Sequence, residues 1–72
     1  MGRLAGFRYR EVATRLRRNG FELAATGKGS HEVWVNAAGR RTVVPRHPGD
    51  IPEGTLKGIL RLAGISVEEF LA

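Results

Sequence analysis

FELAATGKGSHEVWVN, running from Phe21 to Asn36, decides the fold of this chain, because two short runs of alternating residues flank a glycine-rich turn. Phe21, Leu23 and Ala25 alternate with Glu22, Ala24 and Thr26, which is the period-two signature of a half-buried strand. Beyond Gly27-Lys28-Gly29-Ser30, the run His31 to Asn36 reads as a second strand. Ala37-Ala38-Gly39-Arg40 then makes a tight turn into a third, Arg41 to Pro45, completing a three-stranded antiparallel meander. Pro45 has no amide hydrogen to give to a ladder, so the third strand ends there or lies at an edge.

Within the second strand, period two sets Trp34 on the face opposite His31, Val33 and Val35. A chain of 72 residues buries only about 60% of the surface its unfolded form exposes, so its single large indole is expected to face inward. His31 then falls on the open face of the sheet or at its rim. Val33 and Val35 are expected to be exposed beside it, which suits a surface covered by a partner protein.

The flanking segments carry helical periodicity. Tyr9, Val12, Ala13 and Leu16 are spaced i, i+3, i+4, i+7 and predict an amphipathic helix over about residues 8 to 19, with no Ser, Thr, Asp or Asn cap at its start. Gly20 suits the left-handed position just past its last turn. Arg15, Arg17 and Arg18 complement the negative helix end and read either as a phosphate-contacting ridge or as a solvated face. After the linker Pro48-Gly49-Asp50, Leu56, Ile59, Leu60 and Ala63 form the stripe of a second helix from about Pro52 to Ala63, closed by Gly64. Ser66-Val67-Glu68-Glu69 has capping-box spacing and predicts a short third helix that brings Phe70 and Leu71 onto the core. The expected fold is α+β, with the order α-β-β-β-α and a short C-terminal helix. It is two-layered, with helices over one face of the sheet and the other face open, in one domain spanning residues 1–72.

Twelve Lys and Arg against seven Asp and Glu give a net charge of +5, a field that attracts polyanions and above all nucleic acid. With no cysteine and only two histidines, the chain offers little to a metal ion, and neither a metal nor a cofactor is expected. Disulfides are excluded for the same reason, which is compatible with a reducing cytoplasm. No run approaches the roughly 18 consecutive apolar residues of a membrane span and no export signal is visible, so a soluble cytoplasmic protein is expected.

Gly27-Lys28-Gly29-Ser30-His31 is the segment with chemistry in it. Its glycines allow positive backbone dihedrals and close approach of N–H groups to an anion, Lys28 adds a cation, and histidine is the side chain best suited to exchange a proton near neutrality. Cleavage of a phosphodiester through the ribose 2'-OH needs a base for that hydroxyl, donors to steady the charge at phosphorus and an acid for the leaving 5'-oxygen. His31 can supply one proton transfer, with Gly27, Lys28, Gly29 and Ser30 as a phosphate cradle. His47, Lys28 or water could supply the other. Arg46 and His47 read either as further phosphate contacts or as the charged end of an edge strand.

Asn19-Gly20-Phe21, Gly29-Ser30-His31, Val43-Val44-Pro45-Arg46-His47 and Gly54-Thr55-Leu56 followed by Ile59-Leu60 stand in an order and spacing that resemble the HicA toxins of bacterial type II toxin-antitoxin systems. The resemblance covers about Phe7 to Leu71. It implies a fold like that of double-stranded-RNA-binding domains, ribosome-independent cleavage of mRNA, and inhibition by a cognate HicB antitoxin. It also implies that His31, in the family's Gly-Ser-His motif, is the catalytic histidine, while the Pro-x-His element falls on Pro45 and His47. A non-catalytic RNA-binding module would share the element order, but it reads phosphates with lysines at the start of its second helix. Here that turn is Pro52-Glu53-Gly54-Thr55, with only Lys57 nearby.

Overall fold

The computed structural model describes residues 2–27 and 29–72. Their order is α1 (Tyr9–Arg18), β1 (Phe21–Thr26), β2 (His31–Asn36), β3 (Arg41–Pro45), α2 (Glu53–Ala63) and α3 (Val67–Leu71). The strands form one antiparallel sheet in the order β1-β2-β3, giving the expected α+β fold with the layout of a double-stranded-RNA-binding domain.

Local chemistry sets the ends of the elements. At the start of α1 the missing cap is replaced from within the helix, where the Glu11 carboxylate accepts the Arg8 amide hydrogen at 2.9 Å. Gly20 ends that helix at φ +87°, a dihedral that glycine adopts without a Cβ clash. In the β2–β3 turn, Asn36 Oδ1 accepts from the amides of Ala38 and Arg40 at 3.1 and 2.8 Å. Ser66 and Glu69 make the reciprocal capping box of α3, at 3.0 and 2.8 Å.

The core lies between the sheet and the helices. Trp34, Val12, Leu16, Val44, Leu56 and Phe70 are completely buried there, with Phe21, Ile51, Ile59 and Leu60 around them. The Thr42 hydroxyl donates to Ile59 O at 2.7 Å, and the Arg40 guanidinium donates to Leu62 O and Arg61 O at the C-terminal end of α2. These bonds tie α2 to β3, and the Arg40 charge lies where the helix dipole favours a cation. The two ends of the chain meet across α1. Phe7 and Phe70 pack edge-to-face at 5.0 Å, and the Arg15 guanidinium lies over both rings at 5.1 and 5.3 Å while donating to Phe70 O at 2.8 Å. Arg15 is thereby an internal tie and does not belong to an arginine ridge.

Two expectations about faces are corrected. Leu23 pairs with Trp34 and Ala25 with Val33, so Ala24 is an extra residue in β1. Such a bulge reverses the alternation beyond it and sends Ala25 to the open face. Of β1 only Phe21 is buried, and Leu23 remains 44% exposed. On the open face, Val33 and Val35 are half-buried by their neighbours, and it is Val43 that is exposed, at 41%.

Candidate active site

The hairpin joining β1 to β2 presents His31. The Gly27 amide donates to His31 O at 2.8 Å, closing the turn, and Gly29 takes φ +65° within it. Gly27 therefore spends its N–H on the hairpin and has none to give an anion. Gly29 and Ser30 are exposed, and their amides have no backbone acceptor among the described residues. Lys28, expected to add a cation to the cradle, lies outside the described residues.

His31 is exposed on the open face, where the register pairs it with Pro45. Among the described residues its imidazole makes no hydrogen bond or ion pair. The Arg46 amide donates to Ser30 O at 2.6 Å, tying the end of β3 to the turn. The Arg46 side chain is exposed and its guanidinium stands 5.4 Å from the centre of the Tyr9 ring, on the helical side of the sheet. His47 lies two residues past the partner of His31, also exposed, and among the described residues no bond brings it to His31. The turn residues and His31 are thus adjacent, whereas Arg46 reaches the site through its backbone and directs its charge elsewhere.

Sequence reasoning missed the support beneath the histidine. Glu32 is 3% exposed. Its carboxylate accepts from the Tyr9 hydroxyl at 2.6 Å and from the Trp34 indole N–H at 3.4 Å. Burial raises the Tyr9 pKa above the ordinary 10.0, and the hydrogen bond to Glu32 and that residue's negative charge push it the same way, against Arg46 and Arg17. The signal for this network was the alternation itself, since an inward Trp34 carries Glu32 inward two residues before it. Among the described residues no three His, Asp or Glu side chains converge as a metal site would require, and no helix is long and apolar enough to cross a membrane.

Residues 9–65 match the family described as "HicA toxin of bacterial toxin-antitoxin". This chain belongs to the HicA toxin family. It is therefore the toxin of a toxin-antitoxin system, and a cognate antitoxin is its partner. The matched segment takes in α1, the whole sheet with His31, and α2, and leaves Phe7, Phe70 and α3 outside. No curated protein matches this HicA-family chain.

Proposed function

We propose that this HicA-family toxin is an endoribonuclease that cuts mRNA without a metal ion, with His31 as a proton-transfer group. The supporting observation is the position of that imidazole: exposed at the mouth of the hairpin, on the open sheet face, and without a hydrogen bond or ion pair among the described residues. In the reaction the 2'-oxygen attacks phosphorus, the bond from phosphorus to the 5'-oxygen breaks, and a 2',3'-cyclic phosphate remains. His31 takes the 2'-OH proton or protonates the departing 5'-oxygen, and a second group completes the transfer. One correctly placed acid or base contributes about 10²- to 10⁴-fold. The amides of Gly29 and Ser30, with Lys28, hold the phosphate, Gly27 shapes the turn, and Arg46 and His47 bind neighbouring phosphates.

Residues 1–72 act as one domain in the cytoplasm, and a HicB-type antitoxin silences the toxin by covering the open face around His31. The start of α2 argues against a purely RNA-binding module. There the Glu53 carboxylate accepts the Leu4 amide at 3.3 Å, an acidic group where such modules place lysines.

Labelled RNA incubated with the purified protein and EDTA tests this reading. Cleavage that survives the chelator, leaves cyclic phosphate ends and is lost in His31→Ala is the expected result. Unchanged cleavage by a folded His31→Ala variant overturns it.

A further inference from the structure

We infer that Tyr9 is a positioning residue for His31, holding through Glu32 and Arg46 the backbone from which the imidazole projects. This rests on the proposal that His31 moves protons at the phosphate, and it brings a residue of the helical layer into the working of that site.

The His31 imidazole has no hydrogen bond or ion pair among the described residues, so its aim depends on the main chain beneath it. That main chain is fixed on both sides. The peptide before His31 is held where Ser30 O accepts the Arg46 amide hydrogen at 2.6 Å, and the peptide after it where His31 O accepts from Gly27 at 2.8 Å. One residue on, the Glu32 side chain enters the core, 3% exposed, and fixes the strand from below.

Tyr9 joins two of these anchors. Its hydroxyl donates to the Glu32 carboxylate at 2.6 Å, and the Arg46 guanidinium stands 5.4 Å from the centre of its ring. Tyr9 is itself held at the start of α1, where the Glu11 carboxylate accepts the Arg8 amide hydrogen at 2.9 Å and the Ile51 amide donates to Phe7 O at 2.8 Å. The segment from Arg46 to Ile51 is thus tied to the hairpin at one end and to the helix at the other.

The chemistry of the anchor argues for more than stability. Burying a carboxylate costs free energy that its hydrogen bonds only partly offset, and a well-packed apolar side chain often stabilises as much or more. Among the described residues Glu32 has no ion pair. Instead, each of its two donors lies beneath a guanidinium: Arg46 at the Tyr9 ring, and Arg17 5.0 Å from the centre of the Trp34 ring. A hydroxyl donating to a carboxylate at this length is a short, charge-assisted bond, which fixes direction where an apolar contact would slide. Proton transfer needs such fixing, since a reacting group must be held to within about 0.5 Å.

Tyr9→Phe in the full chain is the test, because it removes the hydroxyl and keeps a ring beneath Arg46. Tyr9→Phe/Glu32→Gln accompanies it, since the neutral amide still accepts from the indole and leaves no charge unpaired. Amide hydrogen exchange and single-turnover cleavage of labelled RNA are measured on both. In Tyr9→Phe the Arg46 and Gly27 amides are expected to exchange about ten-fold faster, beyond any change at the core amides of α2. The cleavage rate at saturating RNA is expected to fall by up to about 10²-fold, with the half-saturating RNA concentration unchanged. The double variant is expected to recover most of the parent's stability in urea and to keep the slow rate, which a merely structural tyrosine would not do. A rate equal to the parent's, a rate that recovers with stability, or exchange that quickens equally throughout the protein overturns the inference. A parent that leaves RNA intact overturns the nuclease reading instead, and the exchange pattern then decides by itself whether Tyr9 holds the hairpin.

Discussion

Strand β2 has two faces that differ in kind. On the covered side, the Glu32 carboxylate accepts from Tyr9 and from the Trp34 indole, and the Asn36 side-chain oxygen accepts from two turn amides. No buried side-chain nitrogen or oxygen among the described residues lacks a partner. On the open side, the His31 imidazole has no partner among the described residues, and its neighbours are half-buried or exposed valines. The covered face holds the strand's register, and a slip of one residue would put His31 in the core. The open face is thereby left free for the chemistry proposed above.

The widest test of this contrast pairs Trp34→Ala with His31→Ala. Removing the indole should destabilise the protein by about 3–5 kcal/mol, whereas removing the imidazole should change stability by no more than about 0.5 kcal/mol. Denaturant unfolding of both variants measures the difference, and comparable losses would erase the distinction between the faces. Next in size is Glu32→Gln, which replaces a charged acceptor by a neutral one. It is expected to cost about 1 kcal/mol and to leave the fold unchanged, again by denaturant unfolding.

Tyr9 sharpens the contrast through pH. Its raised pKa means that the native state favours the protonated phenol. That stabilisation is complete below about pH 10, the unfolded value, and is lost as pH rises through the higher native value. The chain has one tyrosine, so tyrosinate absorbance reports this group alone. Its native midpoint should exceed that of the denatured chain, and Glu32→Gln should bring it down. The smallest effect is at the exposed Glu68, whose pKa is lowered first by its own backbone amide and then by Arg3. Its contribution is present above the ordinary 4.5 and fades as pH falls through the lower native value. An NMR titration of Arg3→Ala should raise the native value only part of the way.

Much of this architecture could be read in advance, for reasons that individual residues make plain. Both long helices, all three strands and the capping box of α3 follow from periodicity and turn chemistry, and the placement of Trp34 and His31 follows from alternation. The bulge at Ala24 could not be seen, because Leu23, Ala24 and Ala25 are apolar on both sides of the alternation and an inserted residue leaves no mark there. Glu32 was implied by Trp34, yet a core-facing carboxylate reads as unsatisfied until the Tyr9 hydroxyl arrives from a helix 23 residues earlier. In the candidate site the hairpin was legible. The direction of Arg46 was not, since it depends on His31 pairing with Pro45.

That pairing has a consequence for whatever neutralises the toxin. Because the Arg46 amide bonds to Ser30 O, the ladder bonds fall at alternate positions, and the nitrogen of Pro45 points outward, to the bare flank of β3. It has no hydrogen to offer there, and the opposite flank is broken by the irregular step at Ala24. Neither margin of the platform can readily be lengthened by an extra strand beside the imidazole. An inhibitor that covers the imidazole, as proposed above, would descend onto the sheet from above, shielding the ring with side chains rather than by zipping backbone to backbone.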